Sequence, residues 1–272
     1  EFIAFAPFFT EYSCFATTAG AKLKVIPADI PAFQINFDLL EKSINKNTQG
    51  VIVNSPNNPS GVIYTEETIK KLAELLRKKS AEVGHPIFII SDEPYRELVY
   101  EGKVPFIPHY YSNTIICYSY SKSLSLPGER IGYVLVPSCV EDHDDVYNAI
   151  AGAGRSLGYV CAPSLMQLVI ARCADVEPDI RPYIKNRDLL YNGLTEIGYK
   201  CAKPSGAFYL FMEAPNGDAQ TFSDMAKQLD LLIVPGNDFG CSSYVRISYC
   251  VDHEMIKRSL PVFKKLMEKI RG

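Results

Sequence analysis

The chain has 272 residues, 47% of them hydrophobic and 22% charged, with a formal net charge of −3. A balance so close to neutral provides no field that would gather nucleic acid or an anionic membrane, so a small molecule or a second copy of the chain is the expected partner. The length exceeds one small domain and suggests a large domain joined to a smaller one.

The chain begins at Glu1, without Met, and runs straight into "FIAFAPFF", which reads as a buried strand. The expectation is that it is a piece of a longer protein. "KLKVIPA" (Lys22 to Ala28) reads as a strand, "FDLLEKSI" (Phe37 to Ile44) as a short helix and "GVIVNSP" (Gly50 to Pro56) as a buried strand ending in a loop. Thr65 can cap a helix whose first turn holds Glu66 and Glu67, where acidic groups suit the dipole. Ile69, Leu72, Ala73, Leu75 and Leu76 form its apolar stripe, and Gly84 ends it. "PIFIISD", "NTIICYSYS" and "RIGYVLVP" read as three more strands. Continuous Val/Ile runs separated by helices predict an α/β architecture: a mostly parallel sheet, buried on both faces and flanked by helices.

After about Pro163 the texture changes. Helices are expected at Ser164 to Ala174 and Arg181 to Ile197, then a strand in "GAFYLFME", a helix at Phe222 to Leu229, a strand in "YVRISYC" and a closing helix from about His253 to Ile270. This pattern predicts a smaller α+β C-terminal domain over 163–272, after a larger domain over 1–162. The Gly-rich "AGAGRSLGY" lacks G-x-G-x-x-G spacing and follows no strand, so it is no dinucleotide fingerprint, and its Arg155 reads as a solvent-facing loop residue.

The eight cysteines include no CxxC pair, and there are only four histidines, which argues against a zinc site or a disulfide framework. Several cysteines sit in apolar runs such as "TIICYSY", where a reduced thiol packs as a small hydrophobe, and a cytoplasmic location fits. No apolar run approaches the ~18 residues that span a bilayer, and no signal peptide is visible.

In a parallel sheet, ligands gather at the C-terminal ends of strands. Three successive strands end there in polar groups: "VIVNSPNNPSG" in Asn54, Asn57 and Asn58, "IFIISDEPY" in Asp92, Glu93 and Tyr95, and "IICYSYSK" in Ser119, Ser121 and Lys122. Each alone could be turn chemistry, a helix cap or a solvated cation. Together they bring an amide, a carboxylate and an amine to one edge. A lysine enclosed by Ser, Leu and Pro after an apolar strand is partly desolvated, and such an amine is nucleophilic toward carbonyls.

"SPNNPSG", "SDEPY", "SYSKSLSLPGERIGY", "KPSGAFYLF" and "YVRISY" follow one another in an order and spacing that resembles the fold-type I, class I/II aminotransferases, which use pyridoxal 5′-phosphate (PLP). The resemblance runs from the first residues to the last. It implies that Lys122 forms the internal aldimine with PLP and moves a proton between substrate Cα and cofactor C4′. Asp92 would face the pyridine nitrogen, and Tyr95 and Asn58 would bond the ring O3′. Ser119, Ser121 and Arg130 would hold the phosphate. Arg246 would clamp the substrate α-carboxylate, and Phe9 would stack on the ring, with Phe8 as its rival. The implied reaction moves an amino group from an L-amino acid to a 2-oxo acid, in a homodimer. The same residues serve carbon–sulfur β-lyases, and a non-catalytic sensor or regulatory module is the reading from another class. Family chains carry roughly a hundred more residues before the equivalent of Phe2, including a Gly-rich turn whose N–H groups cradle the phosphate. Only six residues precede Pro7 here, so the expectation is weak PLP binding and little activity from this stretch alone.

Overall fold

The computed structural model describes residues 1–272. The first half alternates strands and helices: β1 (Phe2–Phe5), α1 (Glu11–Thr18), β2 (Leu23–Ile26), α2 (Phe37–Ser43), β3 (Gly50–Asn54), α3 (Glu66–Val83), β4 (Phe88–Asp92), β5 (Thr114–Ser119), the short helix α4 (Tyr120–Ser123) and β6 (Gly132–Leu135). The six strands form one sheet in the order β2-β1-β3-β4-β5-β6, parallel except for β6, which runs antiparallel to β5. The order reverses at β1, with β2 on one side of it and β3 to β6 following in sequence on the other.

The α3 signals act as expected. Thr65 Oγ1 accepts the Thr68 N–H at 3.1 Å, and Gly84 closes the helix in the left-handed region at φ +82°. Its stripe of Ile69, Leu72, Ala73 and Leu76 is buried against Ile3, Val51, Val53 and Ile89 of the sheet, while Leu75 lies at the margin of that core.

Two expectations are corrected. "RIGYVLVP" is not a strand buried on both faces. All four residues of β6 are exposed, with Tyr133 at 47%, Val134 at 47% and Leu135 at 40%, because β6 is the edge of the sheet and only β5 pairs with it. The Gly-rich segment with Arg155 is not a loop. Its first six residues lie in α5 (His143–Ser156), where Arg155 is exposed in the last turn, since Ala-rich spacing around Gly152 and Gly154 still satisfies a helix.

The second half continues with α6 (Ser164–Cys173), α7 (Arg181–Ile197), β7 (Cys201–Ala202), β8 (Tyr209–Glu213), α8 (Ala219–Lys227), β9 (Val234–Pro235), β10 (Tyr244–Ser248) and α9 (His253–Arg271). Four strands form an antiparallel sheet in the order β7-β8-β10-β9. Leu190 and Leu194 of α7, Phe222 of α8, and Phe263 and Leu266 of α9 pack on it. α8 starts three residues earlier than its apolar pattern, because Asp218 accepts the Thr221 N–H at 3.0 Å and caps it. No helix is long and apolar enough to cross a membrane.

The two sheets are stitched at "PSGAF". Ser205 and Gly206 donate to the Gly61 carbonyl at 2.9 and 3.0 Å, and Ala207 donates to Leu98 at 2.9 Å. Tyr95 and Leu98, which follow β4, lie in the same core as the second sheet. A Cβ on Gly206 would stand 2.7 Å from the Leu98 carbonyl oxygen and 2.8 Å from Pro56. Gly206→Ala should therefore lower stability by about 2 kcal/mol, the scale of overpacking against backbone, read as a drop in denaturant midpoint. An unchanged midpoint would show that the junction yields.

Candidate active site

The parallel register decides what meets what. Asn54 of β3 pairs with Asp92 of β4, and Asp92 with Cys117 of β5, so β3 and β4 finish level at one edge and β5 runs two residues beyond them to Ser119. There they open on a cleft of about 610 Å³ between the two sheets. Every site residue expected from sequence lines it: Phe9, Asn58, Asp92, Tyr95, Ser119, Ser121, Lys122, Arg130 and Arg246. Phe8 does not. It is buried in the core between the sheets, beside Phe239 and Tyr244.

The "SPNNPSG" loop is buried and holds itself by amides. Asn57 Oδ1 accepts from the Ser60 N–H at 3.0 Å and the Ser60 hydroxyl at 2.7 Å, and its Nδ2 donates to the Pro7 carbonyl at 3.1 Å. Asn54 accepts the Asn58 N–H at 2.8 Å and donates to the Asp92 carbonyl at 3.0 Å. These bonds fix Asn58, whose Oδ1 accepts from Arg246 Nη1 at 2.9 Å. The Arg246 guanidinium lies 4.6 Å from the Tyr209 ring and 5.0 Å from that of Phe239.

Ser119 caps α4: its hydroxyl accepts the Ser121 N–H at 3.2 Å and donates to the Ser121 hydroxyl at 2.8 Å. The turn so formed presents half-buried Lys122, with Nζ 6.0 Å from the Tyr95 ring and 5.5 Å from that of Phe208. Arg130 sits in the left-handed region at φ +53°, a conformation disfavoured by about 1 kcal/mol or more for a side-chain-bearing residue. Its guanidinium donates to the Pro127 carbonyl.

Asp92 accepts a hydrogen bond from Tyr12. Burial pushes the Asp92 carboxyl up to about 6, against the pull of the Tyr12 hydroxyl, and the like charge of Glu93 adds to the rise. Burial and the Asp92 charge likewise hold Tyr12 well above the ordinary phenol range. Tyr95 is raised by burial and then by the Tyr209 hydroxyl, so it stays protonated as a donor.

Sequence reasoning passed over Tyr12, Tyr209, Asp238 and Phe239 as site residues, and read Asn54 only as a strand end. Asn54 and Tyr209 carried a signal, one from its place in the register and one from the quoted "GAFY". Tyr12 stands three residues after Phe9 at the opening of α1, a spacing that puts both on one side. Asp238 and Phe239 lie in a loop with no such pattern.

Residues 1–262 match the family model described as aminotransferase class I and II. The chain belongs to this family. The aminotransferase is 33% identical over 270 residues to the probable aspartate aminotransferase of Methanocaldococcus jannaschii, covering 96% of this chain and 70% of that one. It is 31% identical over 289 residues to the aspartate aminotransferase of Bacillus subtilis, covering 99% and 70%. Among solved structures, an amino transferase from Eubacterium rectale superposes with TM-score 0.96 at 62% identity, covering 98% of this chain and 68% of that one. The aspartate aminotransferase of Thermotoga maritima gives 0.88 at 26%, covering 98% and 69%. The protein is thus an enzyme of PLP-dependent amino-group transfer, and nothing in these likenesses favours a lyase or a sensor.

Folding raises the Asp92 carboxyl from 3.8 to about 6, so the native state holds this proton more tightly than the unfolded chain. The Asp92 contribution to native stability therefore falls as pH rises from about 4 to about 6, and the buried charge weighs fully above that window. Asp92→Asn in the cofactor-free aminotransferase should match the parent in melting temperature near pH 4 and exceed it by a few degrees above pH 6.5. A gap that stays constant across this range would remove Asp92 as its source.

Proposed function

We propose that the cleft binds PLP and carries out transfer of the amino group between an L-amino acid and a 2-oxo acid, with the residues lining it in separate roles. The observation that carries this reading is the convergence of the Lys122 amine, the Asp92 carboxyl and the Arg246 guanidinium on one cleft between the sheets. The donor set fits the cofactor group by group. Asp92, buried and of the sign to hold a proton on a pyridine nitrogen, lies at the end of β4. Two hydroxyls and a guanidinium, from Ser119, Ser121 and Arg130, suit a phosphate. Tyr95, kept protonated, and the Asn58 amide can donate to a ring oxygen, and Phe9 offers a flat face.

When bound, PLP supplies an electron sink that lets the substrate Cα give up its proton. Lys122 would hold the cofactor's aldehyde carbon and, as a free amine, would serve as the base for the substrate Cα proton. Asp92 would hold a proton on the pyridine nitrogen. Arg246, its guanidinium set by Asn58 and two aromatic rings, would grip the α-carboxylate.

The reading extends to a cytoplasmic homodimer. Eight free cysteines support a reducing compartment, and the exposed side chains of Tyr133, Val134, Leu165 and Leu168 are apolar surface that a second copy would cover.

After incubation with PLP and removal of the unbound cofactor by gel filtration, the protein should keep a visible absorbance band that Lys122→Ala lacks. A band of equal strength in that variant would sink the reading. Arg246→Lys keeps the charge but loses the fork, and kcat/KM for 2-oxo acids should fall about thirtyfold or more.

A further inference from the structure

Tyr209 has a place in the cleft and no role in the reaction as described. It is the first residue of β8, paired with Ser248 of β10, two residues along from Arg246. Its ring lies 4.6 Å from the Arg246 guanidinium, and its hydroxyl lies 3.3 Å from that of Tyr95. Tyr95 in turn has the Lys122 amine 6.0 Å from its ring. One side chain therefore spans from the carboxylate-binding end of the cleft to the lysine end.

The backbone beneath it is rigid. Ala207 takes the left-handed conformation at φ +57° and is fully buried, and its carbonyl accepts from the Tyr100 hydroxyl and from Tyr249 at 3.4 Å. The Tyr209 carbonyl oxygen lies 2.7 Å from where a Cβ on Gly61 would stand. A side chain on such a backbone can impose a geometry on its neighbours rather than follow theirs.

We propose that Tyr209 is a positioning residue that ties the Arg246 guanidinium to the Tyr95 hydroxyl, so that the substrate carboxylate and the cofactor's ring hydroxyl are held in one register. This rests on the roles given above to Arg246 and Tyr95. Arg246 has one side-chain hydrogen bond, to Asn58, so the tilt of its plane is set by the rings against it, Tyr209 at 4.6 Å and Phe239 at 5.0 Å, and Tyr209 is the nearer. A ring lying against the guanidinium fixes that tilt and leaves the forked edge facing the cleft. The hydroxyl acts at the other end. The two hydroxyls lie 3.3 Å apart and either can donate; without a cofactor Tyr95 donates, and once a cofactor ring oxygen accepts the Tyr95 proton, Tyr209 would instead donate to the Tyr95 oxygen. The groups that bear on the Tyr95 hydroxyl are Asp92 of β4, Lys122 of α4, Tyr12 of α1, Tyr209 of β8 and Arg246 of β10. Tyr209 is the neutral donor in direct reach.

The two ends can be separated in the cofactor-loaded protein. The measurements are the dissociation constant of propionate, an unreactive carboxylate, by calorimetry, and the pH midpoint of the visible band. Tyr209→Phe keeps the ring, so propionate affinity should hold within about twofold, whereas the midpoint should rise by about half a pH unit as Tyr95 loses its donor. Tyr209→Leu removes both and should also weaken propionate about tenfold. If Tyr209→Leu fails to fold, Tyr209→Met replaces it, and the Tyr209→Phe titration needs neither. Parental propionate affinity in Tyr209→Leu, with loss in Arg246→Leu, would overturn the role of Tyr209 and leave the Arg246 assignment standing. Parental affinity in Arg246→Leu would instead overturn that assignment and this proposal with it. An unmoved midpoint in Tyr209→Phe would overturn the hydroxyl link.

Discussion

A carboxyl group at the end of a buried strand sets the demands that the rest of this site meets. Asp92 has the Tyr12 hydroxyl and the Asn54 amide as partners, and the charge that most disturbs it is Glu93, of its own sign. The protein gives it no cation. An acid so placed is costly to ionise, and a protonated heteroaromatic nitrogen is the kind of partner that would relieve the cost. The cleft above it is sized for such a ring and edged with hydroxyls, an amine and two guanidiniums.

That carboxyl would be useless if the second sheet could drift from the first. The junction at Gly61, Gly206 and Ala207 prevents this by backbone hydrogen bonds and by contacts too close for a side chain. Buried Arg187 reinforces the junction through its ion pairs with Glu101 and Asp188 and its place 5.2 Å from the Tyr100 ring. The same junction launches β8, so the residues that fasten the halves together also aim Tyr209 into the cleft. Stability and function are coupled at this seam: a change there disturbs the packing and the site at once.

Much of this was legible beforehand, and for local reasons. A capped amphipathic pattern identified α3, and apolar runs ending in Asn, Asp and Ser identified the strands that carry the site. Where reading failed, the missing information was non-local. Nothing within "GYVLVP" says that its strand is an edge, since an apolar run has the same pattern whether or not a neighbour covers it. The helix containing Arg155 was hidden by glycines whose low propensity the remaining turns outweigh. Phe8 and Phe9 read alike as adjacent aromatics, and only the direction in which the chain leaves β1 places Phe8 among Ala6, Phe239 and Tyr244 and Phe9 on the cleft.

The sequence by itself determined which chemical groups the protein has and that three of its strands end in them, because strand identity and turn chemistry are written in short stretches. Tertiary structure alone decided that Arg246, 188 residues beyond Asn58, comes within 2.9 Å of it, and that Tyr12, 80 residues before Asp92, is its hydrogen-bond partner. Contacts of that range depend on sheet order and on how two sheets pack. No local pattern encodes them, since each partner folds into its own element without reference to the other.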